Sequence, residues 1–274
     1  MLKQRILVGV IGGIFAIVVL CLNSAVISIV LGLISLIGLS EIYNTTGILR
    51  RKNKLCLFSY LYVLTAFLVL AFIKEATGFF LAMFLFAYAV VLLIYMVFNH
   101  ETTDFDDLGS LFFQTAYVAF LFAHILLVRR LQYGHFIIWI IFITAWLSDT
   151  AAFAVGLKFG KNKLMPNISP KKTIEGALGG LAGSVLFNLI FGIVCSVGFD
   201  LNVRYFNLIL LALVAGVLSQ FGDLVASAIK REHGVKDYSS LLPGHGGVLD
   251  RFDSVLFVAP TVYYFSVTFG IFAI

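Results

Sequence analysis

A chain of 274 residues that is 61% hydrophobic and only 12% charged is not an ordinary soluble protein, whose charged fraction is about twice as large. Intrinsic disorder is excluded by the same composition, because disordered segments are poor in apolar residues. No charged residue occurs in 6–40, 55–73, 76–99, 176–199 or 254–274. Apolar runs of roughly 18 or more residues read as membrane-spanning helices, and the mean hydropathy of +1.04 agrees.

The first run follows Lys3 and Arg5 and has the outline of a signal peptide. Val19, Leu20 and Cys21 before Leu22 do not form a small-residue cleavage site, so the segment is expected to stay as an anchor. The run 6–40 is too long for one span of about 20 residues, and Asn23-Ser24 offers a turn that divides it. In chain order the expected spans lie near 6–22, 25–43, 55–73, 77–98, 108–128, 134–156, 174–197, 205–230 and 253–273. The expected fold is therefore an all-α polytopic helical bundle of about nine transmembrane helices. A lone helix satisfies its own backbone in lipid, whereas the alternating short strands of a β-barrel are absent. Cys21, Cys56 and Cys195 are far apart, have no metal-ligand spacing, and read as small packed hydrophobes.

Charge orients this arrangement. With the N-terminus in the cytoplasm and sides alternating, only Lys74, Arg129, Arg130 and Arg204 of the nineteen Lys and Arg fall outside. The remaining fifteen lie inside, as the positive-inside rule requires. The expected topology is N-in, C-out. The net charge of +5 is then mainly a topology signal, joined by attraction to anionic lipid, and no nucleic-acid partner is expected.

The chain divides by content into 1–130, helices with packing, lipid-facing or dimer roles, and 131–274, which holds the chemistry with its cytoplasmic loops. In the first part Glu41, His124 and Asp104-Phe105-Asp106-Asp107 are the polar oddities. The acidic cluster reads as a solvated loop, and His124 as a packing residue. In the second part Asp149 and Asp223 lie inside apolar stretches. A carboxylate there costs about 2.5–3.5 kcal/mol on insertion scales, so it faces a cavity and has a partner. Asp223, Ser227, Lys230 and Arg231 are spaced i, i+4, i+7 and i+8 and share one helical face. That face runs from a cationic mouth to an anionic floor, an arrangement suited to a polyphosphate bound through a divalent cation.

The loop that follows contains Lys236-Asp237 and Pro243-Gly244-His245-Gly246-Gly247, whose glycines let the backbone turn N–H groups toward an anion. Asp250 and Asp253 then enter the last helix on one face. A second basic loop holds Lys161, Lys163, Lys171 and Lys172. Ser169-Pro170 reads as an N-cap with proline at the first helical position, which puts Lys171 and Lys172 in a first turn. Cations oppose the helix dipole there unless an anion binds; topological anchoring is the competing reading.

The series Ser227-Ala-Ile-Lys230-Arg231, Lys236-Asp237, and Leu242-Pro243-Gly-His245-Gly246-Gly247-Val-Leu-Asp250-Arg251-Phe-Asp253 resembles the signature of the CDP-diacylglycerol synthase (phosphatidate cytidylyltransferase) family. Gln220-Phe-Gly222-Asp223, Ser148-Asp149 and Ser169-Pro170-Lys171-Lys172-Thr173-x-Glu175-Gly176 are similar to that family as well. The match covers roughly residues 144–254; Ala151-Ala152-Phe153 departs from it, where the family has a Gly-Ala-Tyr-like step. The resemblance implies Mg²⁺-dependent transfer of CMP from CTP to phosphatidate, giving CDP-diacylglycerol and pyrophosphate in phospholipid synthesis, and a homodimer in the membrane. It places Asp223, Asp250, Lys230, Arg231 and His245 in catalysis. Ser227, Lys171, Lys172, Ser169, Lys236, Asp237, Gly246, Gly247, Arg251, Asp149 and Asp253 are implied in substrate binding. Asp223 and Asp250 are the expected Mg²⁺ ligands, with a second cation as an option. The expected location is a bacterial inner (plasma) membrane, with the active site facing the cytoplasm.

Two other functions fit parts of the pattern. A CTP-dependent polyprenol or phytol kinase would use His245 as a base for a lipid hydroxyl. An ion-coupled transporter would use Asp149 and Asp223, but inverted repeats are not visible and the charges cluster on one side.

Overall fold

Asn23, the residue that interrupts the first apolar run, ends one helix and begins the next. Its side-chain oxygen accepts a hydrogen bond from the Val26 N–H at 3.0 Å, the usual N-cap arrangement. The computed structural model describes the backbone of residues 2–73, 75 and 77–273, and side chains from residue 9 onward. Its helices are α1 (Leu2–Cys21), α2 (Ser24–Thr45), the short α3 (Ile48–Arg51), α4 (Asn53–Phe72), α5 (Thr77–Phe98), α6 (Phe105–Thr115) and α7 (Leu121–Arg129). These are followed by α8 (Gly134–Phe142), α9 (Ser148–Phe159), α10 (Ile174–Phe199), α11 (Tyr205–Glu232) and α12 (Leu249–Phe269). A π-helical turn, Ala116–Phe120, joins α6 to α7, and another, Ile143–Leu147, joins α8 to α9.

The chain is an all-α polytopic membrane protein. Among the described residues eight helices are long and apolar enough to cross a membrane, and Gly9–Cys21 is a shorter apolar helix ahead of them. Large apolar side chains such as Phe72, Phe86, Val97 and Phe206 are exposed, as the lipid-facing surface of a bundle should be. Cys56 and Cys195 are buried, as their apolar surroundings suggest, whereas Cys21 is exposed.

One short hairpin departs from the all-helical expectation. β1 (Lys163–Met165) pairs antiparallel with β2 (Ser169–Thr173), Lys163 opposite Thr173 and Met165 opposite Ser169. Ser169 is therefore not a helix cap, and Lys171 and Lys172 are not in a first helical turn. The cap is Thr173, whose hydroxyl accepts from the Gly176 N–H at 3.1 Å, so α10 starts at Ile174. Pro170 fits a two-stranded hairpin, where an edge position without an N–H is tolerated.

The chain forms two compact units: Met1–Leu127 with Asp237–Arg251, and Val128–Lys236 with Phe252–Ile274. The glycine-rich segment 237–251 goes with the first unit. In that unit a buried polar chain crosses the apolar core. Thr115 Oγ1 lies 2.6 Å from the Tyr43 hydroxyl and 2.9 Å from that of Tyr88, which is 2.6 Å from Ser59 Oγ. Hydroxyls buried without partners would be costly; here they satisfy one another. The rings of Phe58 and Phe112 stack on Tyr88, and that of Tyr62 meets it at a tilt.

In the second unit small residues let α9 and α10 approach closely, the packing mode available in lipid. A Cβ at Gly179 would sit 2.5 Å from Val155 Cβ, and one at Gly183 would sit 2.5 Å from Ala151 Cβ. Polar clasps fasten the neighbouring helices. Asn188 donates to Thr144 Oγ1 at 2.9 Å, Ser184 to the Ala212 carbonyl at 2.8 Å, and Gln220 to the Ala177 carbonyl at 2.9 Å.

Candidate active site

Asp223 lies two-thirds of the way along α11, and α11 is helical because its residues are apolar throughout apart from a few polar side chains on one face. Ser227, one turn later, donates to Asp223 Oδ1 at 3.2 Å, so the i, i+4 alignment expected from spacing is realised. The other carboxylate oxygen, Oδ2, takes the Lys172 ammonium at 2.6 Å. Lys172 comes from β2, where successive side chains alternate between faces: Lys171 is exposed while Lys172 is half-buried. The hairpin, rather than a helix N-terminus, brings Lys172 to the carboxylate.

Other charged groups surround this pair. Lys230 is buried on α11 and Asp253 is buried in α12. Asp253 is within electrostatic reach of Asp223, Asp149 and Lys230. Asp149 enters α9 directly after the π-helical turn and accepts a long hydrogen bond, 3.5 Å, from Ser254 Oγ. Gly222 allows α11 and α12 to meet at this level, since a Cβ there would lie 2.7 Å from the Asp253 carbonyl. Thus Asp149, Lys172, Asp223, Ser227, Lys230 and Asp253 are assembled around one polar centre in the second unit. Arg231 points elsewhere: it is exposed, and its guanidinium donates to the Val235 carbonyl at 2.8 Å. Lys236 is exposed.

The glycine-rich loop in the first unit is held mainly by two acids. Asp250 is buried, and its Oδ2 accepts from the N–H groups of Tyr238 at 2.8 Å and Gly247 at 2.9 Å. Gly246 has φ +80°, and a Cβ there would stand 2.8 Å from Asp250 Oδ2 and 3.3 Å from Asp237 Cβ. Asp237 itself is exposed. The tight turn is closed by Leu242 N–H to the Gly246 carbonyl and His245 N–H to the Leu242 carbonyl, both 2.8 Å. The Gly247 and His245 N–H groups are thus taken up within the loop, by the Asp250 carboxylate and the Leu242 carbonyl. His245 is half-buried beside Gly9, and its Nδ1 has no hydrogen-bond partner among the described residues. Arg251 is exposed at the start of α12.

The second acid is Glu41 of α2, 5% exposed, an oddity in the sequence with no role assigned by pattern. Its Oε1 accepts from Ser239 Oγ at 2.7 Å and Val248 N–H at 2.9 Å, and its Oε2 from Leu249 N–H at 2.7 Å. The only hint in the sequence was a lone acid at the end of a long uncharged run. Asp107 is a correction. It is buried in the first turn of α6 rather than in a solvated loop, and it pairs with Arg51 at 3.0 Å and Lys52 at 3.4 Å. The basic segment around Arg51 balances it, a long-range pairing that local composition does not show. His124 is buried with Nδ1 2.9 Å from the Phe120 carbonyl, consistent with packing.

Carboxylates, lysine and serine gathered inside apolar helices form the polar centre of a polytopic membrane protein. A model of the cytidylyltransferase family matches residues 3–269. The chain belongs to that family. It is 36% identical over 277 residues to the phosphatidate cytidylyltransferase of Bacillus subtilis (strain 168), an alignment covering 98% of this chain and 99% of that protein. The phosphatidate cytidylyltransferase of Staphylococcus haemolyticus (strain JCSC1435) is 34% identical over 264 residues, 94% of this chain and 96% of its own length. That of Staphylococcus aureus (strain COL) is 41% identical over 178 residues, 64% of this chain and 65% of its own.

Proposed function

We propose that the chain is a CTP:phosphatidate cytidylyltransferase of a bacterial plasma membrane, a nucleotidyltransferase that forms CDP-diacylglycerol and pyrophosphate. Family membership over nearly the whole chain supports the reaction, and one observation carries the assignment of its centre: the Asp223 carboxylate, inside an apolar helix, with the Lys172 ammonium on it and Ser227 beside it. In the reaction a phosphate oxygen of phosphatidate attacks the α-phosphorus of CTP. The bond from that phosphorus to the bridging oxygen of the β-phosphate breaks, and pyrophosphate leaves. The nucleophile is already anionic, so no strong base is needed. Catalysis consists of holding two anions in line and neutralising their charge. Lys172 and Lys230 are the cations next to the carboxylates, and we assign them to phosphate oxygens, with Ser227 as a donor. Ser169, Lys171, Lys236, Asp237, Gly246, Gly247 and Arg251 are proposed to line the approach of the substrates, and His245 and Arg231 to act on the loop and helix end that frame it.

The donors present suit a hard cation. Carboxylate oxygens are the ligands Mg²⁺ takes, and it commonly uses one or two of them plus substrate phosphates. Asp223 Oδ2 already accepts an ammonium at 2.6 Å, so it is placed to face a cation. No group of three or more His, Cys, Asp and Glu forms a ready metal cage among the described residues. Such a cation, when bound, would neutralise phosphate charge. Asp223 is the proposed ligand, supported by Asp149 and Asp253, and Asp250 is proposed as a second.

Purified protein given phosphatidate, labelled CTP and Mg²⁺ should yield CDP-diacylglycerol and pyrophosphate. CDP with a phosphorylated lipid alcohol would assign a kinase instead, and nucleotide-independent uptake into proteoliposomes a transporter. The N-in, C-out orientation with nine spans, and an active site open to the cytoplasm, is tested by single cysteines at Asn53, Asn167 and Ser240. All three should be labelled from the cytoplasmic side alone. The proposed homodimer should appear as a crosslinked pair in native membranes.

A further inference from the structure

Glu41 lies outside the chemistry proposed above, yet it is among the most completely engaged acids in the molecule. It is buried, and no Lys or Arg forms a salt bridge with it among the described residues. Its charge is met by a hydroxyl and two backbone N–H groups. Those N–H groups, of Val248 and Leu249, open α12, and the first N–H groups of a helix have no partner within it. A carboxylate suits that position because the helix dipole favours negative charge there. Glu41 therefore caps α12 from another helix, across 208 residues of sequence to Leu249. It also closes against the loop from the side: a Cβ on Gly247 would fall 2.5 Å from Glu41 Oε1. Asp250 holds the same turn through Tyr238 and Gly247.

We infer that Glu41 is a positioning residue for the reaction: it clamps Ser239, Val248 and Leu249 and thereby sets the conformation of the glycine-rich loop on which CTP binding depends. This rests on the reading of that loop as part of the nucleotide site. Glu41 touches no substrate. Its removal acts through the loop, and so on nucleotide binding more than on the transfer step. A neutral amide at this position keeps the volume but places an N–H₂ against at least one of the three donors.

The test uses the purified full chain. For Glu41→Gln the KM for CTP should rise on the order of ten- to a hundred-fold, the effect of losing one or two charge-assisted hydrogen bonds, while kcat stays within about threefold. Glu41→Asp, which keeps the charge on a shorter stem, should recover part of the loss, and Ser239→Ala should show a smaller rise. Without nucleotide, trypsin should cut at Lys236 and Arg251 faster in Glu41→Gln than in the parent protein. Gly247→Ala should harm CTP use in the parent and cost less when combined with Glu41→Asp, because the carboxylate withdraws; non-additivity of neighbours is the signature of direct contact. An unchanged KM together with unchanged trypsin cleavage in Glu41→Gln overturns the inference, as does strict additivity of the Gly247 and Glu41 changes. If Glu41→Gln fails to insert, Ser239→Ala and the paired substitutions decide in its place. A parent protein that transfers no CMP would sink the proposed function, while the trypsin arm still decides the role of Glu41.

Discussion

Two of the carboxylates inside apolar helices of this protein, Glu41 and Asp223, meet opposite kinds of partner. Glu41 is 5% exposed, and backbone N–H groups and one serine occupy it. The Asp223 side chain is 27% exposed, and its main partner is the ammonium of Lys172, itself 25% exposed. A carboxylate bound to backbone groups is part of the scaffold, because those groups cannot leave without unfolding a turn. A carboxylate bound to a flexible side chain can exchange that partner for another cation. Burial and partner type, rather than the presence of an acid in a span, separate a structural acid from a reactive one.

The most direct way to break this comparison is a neutral, nearly isosteric change at Asp223. Asp223→Asn should lower kcat for CDP-diacylglycerol formation by about three orders of magnitude, the scale of removing a preorganised charge-stabilising group, with little change in thermal stability. Retained turnover across a Mg²⁺ titration would move the reactive centre elsewhere. Lys172→Ala should follow, with a loss of roughly ten- to a hundred-fold read as kcat/KM, the effect of losing one charge-assisted partner. Lys171→Ala, one residue away on the opposite face of the strand, should cost less than Lys172→Ala. Normal kinetics in both variants would mean that the basic loop acts only as a topological anchor.

Asp250 sharpens the comparison, since it has an established scaffold role and a proposed ligand role. Asp250→Asn should raise the KM for CTP by about tenfold through the loosened loop. If it also raises the Mg²⁺ concentration needed for half-maximal rate, it is a ligand; if only the CTP dependence moves, it is an anchor like Glu41. The smallest effect is expected at Asp107, whose pairing with Arg51 and Lys52 lies far from α11 in sequence. Asp107→Asn should lower the melting temperature by about 2–4 °C, the effect of roughly 1 kcal/mol in a protein of this size, and leave CMP transfer intact. Loss of activity without loss of stability would place the acidic cluster in the chemistry.

The helices were readable from residue order because an uncharged run near 20 residues long in a chain this apolar has only one way to satisfy its backbone in lipid. Even the break at Asn23 was visible, as a turn inside an apolar run too long for one span. The i, i+4 relation of Asp223 and Ser227 was legible for the same reason: helical geometry fixes it locally. The hairpin at 163–173 was not. Ser-Pro is a good helix start, and only the pairing of β2 with β1 makes it a strand, so Lys172 meets the Asp223 carboxylate from a hairpin rather than standing at an anion-binding helix end.

What the sequence by itself determined is the membrane-spanning helical architecture and the set of residue types available for phosphate chemistry. These follow from periodicity, solvation and composition, which act over a few helical turns. Tertiary structure alone decided that Lys172 and not Lys171 meets Asp223, that Asp107 is paired, and that Glu41 and Asp250 hold the glycine-rich loop. Each of these depends on contacts between residues from tens to more than two hundred positions apart, apart from the short-range Asp250 clamp. Such contacts are set by how helices pack and where backbone N–H groups are left without partners. No local pattern carries that information, because the partner is supplied by whichever element the fold brings alongside.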